Sequence, residues 1–153
     1  MKILLLDVDG VLCTRRSFLA YDKEGGMWFS WDQLACDVIR TCASYGVMIV
    51  VSSTWRKPKN EPELISQLHR YGFTRSMLFM PDWKTPILPS GVRGEEIQAW
   101  LDAHPDIKDY KILDDDCILL DDQEKHWIQT DPDGGMTSDN IKKLLNWAGA
   151  LKS

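Results

Sequence analysis

Hydrophobic positions in this chain fall into short unbroken runs separated by longer amphipathic stretches. Ile3-Leu4-Leu5-Leu6 follows Lys2 and stops at Asp7. A run that short, without alternation, predicts a central parallel strand over Lys2 to Leu6, buried on both faces. Val47 to Val51 repeats the pattern and stops at Ser52-Ser53-Thr54. Met77 to Met80, Tyr110 to Leu113 and His126 to Gln129 read as further short strands. Between the runs the period becomes helical. Leu34, Ala35, Val38, Ile39 and Cys42 share one face over about Asp32 to Tyr45, and Gly46 is a natural stop. Leu64, Ile65 and Leu68 do the same over about Glu61 to Tyr71, with Asn60 as the expected cap. Ile97, Trp100 and Leu101 mark a helix over Gly94 to Ala103, halted before Pro105. Thr137 or Ser138 caps a last helix bearing Ile141, Leu144, Leu145, Ala148 and Leu151. Leu12 to Phe29 is mixed in character, contains Gly25-Gly26, and predicts a loop or small hairpin flap. Pro81 to Gly91 is a proline-rich loop.

Alternating strands and helices imply an α/β fold. The expected architecture is a Rossmann-like, doubly wound, mostly parallel sheet of about five strands with helices on both faces. No repeat or linker divides the 153 residues, which suit one domain. In such sheets the site lies at the carboxyl ends of the strands. The polar clusters of this chain fall there: Asp7 and Asp9 after the first strand, Ser52 to Thr54 after the second, and Asp114 to Asp116 after Leu113.

Charge and composition narrow the partners. A formal net charge of -5 does not suit a non-specific nucleic-acid binder. Arg15, Arg16, Arg56, Lys57, Lys59 and Lys84 nevertheless concentrate in the connections near the strand ends, where a basic rim would suit an anionic substrate. Cys13, Cys36, Cys42 and Cys117 form no Cys-x-x-Cys pair, so reduced thiols in a cytoplasmic compartment are expected rather than a zinc site. The N-terminal apolar run is too short for a signal peptide or membrane span. Trp28, Trp31, Trp55 and Trp83 lie in segments near the strand ends. Core or rim packing accounts for them better than stacking on a base.

Carboxylates from two strand ends make a hard oxygen site suited to Mg²⁺. Packed together without a cation they would repel one another. Asp can act as a covalent nucleophile in phosphoryl transfer, and a second Asp two residues on can act as general acid and base. A hydroxyl and a basic side chain would hold the transferring group.

Asp7-Val8-Asp9-Gly10-Val11, after an apolar strand, resembles the first motif of the haloacid dehalogenase (HAD) superfamily. Ser53, with Ser52 beside it, matches the second motif, a hydroxyl residue at a strand end. Arg93, at the start of a helix, matches the basic third motif, which is more often Lys, so Lys84 is its rival. Asp114-Asp115 matches the acidic fourth motif. A narrower resemblance lies in Ser53-Thr54-Trp55-Arg56, Arg93-Gly94-Glu95-Glu96-Ile97, Ile112 to Asp116, and Thr130-Asp131-Pro132 with Gly135-Met136-Thr137. These phrases look like the small HAD domains associated with Swiss Army Knife RNA repair proteins.

The resemblance implies a Mg²⁺-dependent phosphatase working through an aspartyl-phosphate. Asp7 would be nucleophile and metal ligand. Asp9 would be acid and base, with its backbone carbonyl toward the metal. Ser53 would hold the phosphoryl oxygen, helped by backbone N–H groups near Gly10 and Thr54. Arg93 would offset negative charge. Asp115 or Asp114 would complete the metal site, Asp116 being a weaker choice. Neither the flap at about residues 12–30 nor the region between Arg56 and Val92 has room for a separate cap domain. An open site able to admit a nucleic-acid end is therefore expected, with a small nucleotide or sugar phosphate as the substrate if a partner subunit covers the site. The alternatives are a small-metabolite phosphatase or phosphotransferase, and a catalytically silent binding or regulatory domain of the same fold. Protein partners are not legible in the sequence.

Overall fold

The computed structural model describes residues 1–17 and 30–151. Most of the expected flap, including Gly25-Gly26 and Trp28, lies outside the described residues. Among the described residues, four strands form one parallel sheet: β1 (Lys2–Leu6), β2 (Val47–Val51), β3 (Asp109–Asp114) and β4 (Trp127–Gln129). Their order is β2-β1-β3-β4, so β1 is flanked on both sides. Leu6 pairs with Val51 across one edge and with Leu113 across the other.

Among the described residues, four helices of ten or more residues cover the sheet: α1 (Gln33–Ser44), α2 (Glu61–Arg70), α3 (Arg93–Ala103) and α4 (Ser138–Ala148). Alternate residues of a strand point to opposite faces. Leu4 and Leu6 accordingly enter a core with Ala35 and Ile39 of α1 and Leu144 of α4. Ile3 and Leu5 enter a second core with Ile97 and Trp100 of α3. Helices on both faces of a parallel sheet make this an α/β, Rossmann-like fold.

Asp32 caps α1, its carboxylate accepting from the Ala35 N–H at 3.2 Å. Thr137 caps α4 in a reciprocal box with Asn140. Four expectations need correction. The last helix ends at Ala148, before Gly149 in the left-handed region, so Leu151 lies outside it and is 43% exposed. Asn60 makes no side-chain cap bond to α2; its amide reaches the Thr54 carbonyl instead, at 3.4 Å. Leu34 and Ile65 are about half exposed, at 52% and 50%. Each is next in sequence to a buried residue, and one step of a helix turns it about 100° away from the core. Met77 to Met80 forms no ladder. Only a single bridge joins Leu78 to Ile49, and the Phe79 N–H donates to the Ile49 carbonyl at 3.0 Å. Pro81 then has no N–H to continue pairing. The segment rejoins β2 further on, where the Val51 N–H donates to Trp83 and the Thr85 N–H to Val51. The outer edge of β2 is thus covered by a loop rather than by a fifth strand.

All four cysteines are free thiols. Among the described residues, no helix is long and apolar enough to cross a membrane.

Candidate active site

The sheet register places the site. Beyond the last paired residues, the Asp7 N–H donates to the Leu113 carbonyl at 3.0 Å and the Ser52 N–H to the Leu6 carbonyl at 2.8 Å. Asp7 therefore sits between Ser52 on one side and Asp114 on the other. Asp7, Asp114 and Asp115 each offer an oxygen within 4.8 Å of the others. Asp7 and Asp114 are buried, at 8% and 2% exposure; Asp115 is half-buried. Asp115 can approach because residue 10 is glycine. Gly10 has φ +80°, and a Cβ there would stand 2.2 Å from the Asp115 Cγ. Any other residue would be strained in its backbone and would collide with the carboxylate.

Burial and the neighbouring Asp114 push the Asp7 carboxyl up to about 8, against the opposing pull of Arg93. Burial likewise raises Asp114 to about 6, opposed by Arg93 and by the Asp116 N–H. One guanidinium does not balance the cluster. A set of hard oxygen donors with surplus negative charge is what a divalent cation neutralises. The donor set fits Mg²⁺.

Arg93 is the first residue of α3. A cation there is unfavourable beside the helix dipole unless an anion is near. Its Nε lies 4.0 Å from Asp114 Oδ2, and its Nη1 donates to the Ser52 hydroxyl at 3.2 Å. Close packing of the helix start secures this position. A Cβ on Gly94 would meet the Leu120 nitrogen at 2.7 Å. The Gln123 amide donates to the Gly94 carbonyl at 2.9 Å.

Asp9 lies apart from the carboxylate cluster. It is exposed, and its Oδ1 accepts from the Trp55 indole N–H at 3.0 Å. Both residues line a cavity of about 600 Å³, together with Cys13, Thr54 and Lys59. The loop after β4 supports this corner, since the Thr130 hydroxyl donates to the Gly10 carbonyl at 2.7 Å.

A family model described as the HAD domain in Swiss Army Knife RNA repair proteins matches residues 3–141. The chain belongs to this family. No curated protein and no solved structure matches it significantly.

Within this HAD domain several sequence expectations are redistributed. Lys84, the rival to Arg93, pairs with Glu61 at 2.8 Å; it is Arg93 that meets the acidic cluster. Both Asp114 and Asp115 enter the cluster, and Asp116 does not. The Asp9 carboxylate is not among the clustered groups. Ser53 is fully buried, and its hydroxyl accepts from the Trp55 N–H at 3.2 Å, capping the 3-10 turn Thr54–Arg56. Ser52, not Ser53, offers its hydroxyl to Arg93. The Gly10 N–H already donates to the Cys13 carbonyl at 2.9 Å, so it is not turned toward a phosphate. Thr54 is exposed at the cavity wall.

The basic rim also shrinks. Arg56 is buried, bound to Glu96 at 2.8 Å and to the Ser53, Thr85 and Pro86 carbonyls. Arg16 pairs with Asp32. Trp31 is core, stacked on Tyr71 at 5.5 Å.

Sequence reasoning missed three contributors to the site. Thr85 donates to the Ser52 hydroxyl at 3.2 Å. Cys117 donates a hydrogen bond to Asp114, and burial together with that carboxylate pushes its thiol up. Trp55 engages Asp9. A signal existed only for Trp55, through its place two residues after the second motif.

Proposed function

We propose that this HAD domain is a Mg²⁺-dependent phosphohydrolase that works through an aspartyl-phosphate on Asp7. The carrying observation is that Asp7 shares one buried corner with Asp114 and Asp115, while Arg93 bridges Asp114 and the Ser52 hydroxyl. Asp7, Asp114 and Asp115 would hold Mg²⁺, with the Asp9 backbone carbonyl as the expected further donor; the ion supplies the charge neutralisation that lets a carboxylate approach a phosphate.

The chain's own groups have separate tasks. A carboxylate oxygen of Asp7 attacks phosphorus, and the bond to the leaving oxygen breaks as that oxygen takes a proton from Asp9. Asp9, now a carboxylate, then removes a proton from water as the water attacks phosphorus and the Asp7–phosphorus bond breaks. Ser52 accepts from Thr85 and Arg93, so its own hydroxyl proton remains to give to a phosphoryl oxygen. We assign this role to Ser52 in preference to Ser53. Arg93 offsets charge on the transferring group.

The substrate class we favour is a terminal phosphate of a nucleic acid, or a nucleotide. Membership of a family named for RNA repair proteins supports it, as does the exposed Lys59 at the cavity beside Asp9. The test is Mg²⁺-dependent release of phosphate from p-nitrophenyl phosphate, followed by a panel of phosphorylated oligonucleotides, mononucleotides and sugar phosphates. Activity lost in Asp7→Asn and Asp9→Asn supports the proposal. No turnover across the panel and no Mg²⁺ binding would favour a silent binding domain. Faster turnover of sugar phosphates than of oligonucleotides would overturn the substrate class.

A further inference from the structure

The indole of Trp55 donates to only one oxygen of Asp9, Oδ1, at 3.0 Å. An indole N–H is a donor and never an acceptor. Oδ1 is therefore the acceptor in that bond, and a proton carried by Asp9 is favoured on Oδ2, because the carbonyl oxygen of a carboxylic acid accepts better than its hydroxyl oxygen. Oδ2 makes no hydrogen bond among the described residues, and Asp9 lines the cavity that Trp55 also lines.

We infer that Trp55 is a positioning residue: it fixes which Asp9 oxygen exchanges the proton, and the shared cavity receives the leaving group. The inference rests on the phosphohydrolase proposal above. The Trp55 ring is well placed to impose such an orientation. It is buried at 8% exposure. It packs edge-to-face with the Trp31 ring, centroids 5.9 Å apart at 69°. Its backbone N–H is held by Ser53. Asp9, by contrast, is exposed and would otherwise turn about its side-chain bonds. As Asp7 attacks, the leaving oxygen takes the proton from Oδ2 and departs into the cavity, while Oδ1 keeps the indole bond. In the second step Oδ2 accepts the proton from the attacking water, which restores the starting state. The cavity volume of about 600 Å³ lies within the range of small-molecule sites, and Lys59 on its wall suits a leaving group that carries negative charge of its own.

The experiment uses Trp55→Phe, which keeps an aromatic ring and deletes the donor. The rate measured is kcat/KM, which reports the attack by Asp7. An alkyl phosphate, whose alkoxide leaves poorly, needs the proton; p-nitrophenolate leaves without it. The expected result is a loss of about tenfold or more on the alkyl phosphate and a change within about twofold on p-nitrophenyl phosphate. Equal losses on both, or no loss on the alkyl ester, would overturn the inference.

A second measurement does not depend on how that variant folds. In the wild-type chain labelled with ¹⁵N-tryptophan, the Trp55 indole N–H resonance should move upfield in Asp9→Ala and stay in place in Asp7→Asn. No movement in Asp9→Ala would overturn the contact. If the wild type turns over neither ester, the phosphohydrolase proposal fails, while the resonance still reports the Trp55–Asp9 bond.

Discussion

Replacing Asp114 by Asn should stabilise the metal-free protein and at the same time abolish its response to Mg²⁺. Asp114 is buried at 2% exposure, and its carboxyl is raised from 3.8 to about 6. A carboxyl raised in the folded state favours folding in its protonated form. That benefit is complete below pH 3.8 and is lost as the pH climbs through about 6. Well above that point, keeping Asp114 ionised costs the fold about 3 kcal/mol. Asn removes the charge and keeps an oxygen to accept from the Asp116 N–H, now at 3.1 Å. Its amide, facing Arg93, gives back about 1 kcal/mol. The net gain is about 2 kcal/mol, or roughly 4–8 °C in Tm for a chain of this size.

The assay is thermal unfolding of wild type and variant in EDTA and in saturating Mg²⁺, at about pH 8.5 and about pH 5. In EDTA the variant should melt higher, with the gap narrowing at the lower pH. In Mg²⁺ the wild type should gain stability by mass action and the variant should gain little. A variant that melts below wild type in EDTA at the higher pH would refute the electrostatic account. An undiminished Mg²⁺ shift would refute the assignment of Asp114 as a ligand.

Gly10→Ala should destabilise the fold by about 1–2 kcal/mol, because residue 10 has φ +80°. It should also displace Asp115 and weaken Mg²⁺ binding on the order of tenfold or more, as titration calorimetry would read. Glu96→Ala leaves the Arg56 guanidinium buried without its carboxylate; urea unfolding should register a loss of about 3–5 kcal/mol. Ser52→Ala and Ser53→Ala should separate. The first should lower kcat/KM roughly 10- to 100-fold and, by leaving the buried Thr85 hydroxyl without its acceptor, cost about 1–3 kcal/mol of stability. The second should cost about 1 kcal/mol of stability through the lost cap. A catalytic loss confined to Ser53→Ala would return the phosphate-holding role to Ser53.

The sheet strands that carry the candidate site were legible because their signals are local. Ile3 to Leu6 and Val47 to Val51 are unbroken apolar runs that stop at polar residues, and parallel strands buried on both faces leave that mark. The Met77 to Met80 run misled because an apolar segment can cover a sheet edge without forming a ladder. Leu34 and Ile65 misled because a wide helical stripe extends beyond the buried arc, and only the packing of α1 and α2 decides where the arc ends. The acidic members of the candidate site were legible for the same local reason as the strands. Sheet register then decided what spacing could not: it sets Asp7 opposite Ser52 and turns the Ser53 hydroxyl into a cap. Thr85, Cys117 and the Trp55–Asp9 bond join residues distant in sequence, and no periodicity announces such contacts. Arg56 is the clearest case. In sequence it belongs to a basic cluster; in the fold its charge is spent on Glu96 and on three carbonyls.

The central claim is that Asp7 becomes covalently phosphorylated. Its most direct test is acid quenching of the protein during turnover of an aryl phosphate in Mg²⁺, followed by intact-mass and peptide mass analysis. A phosphoryl group on the peptide containing Asp7, lost in Asp7→Asn together with turnover, is the predicted result. Turnover that persists in Asp7→Asn, or a phosphoryl group found on another residue, would contradict it.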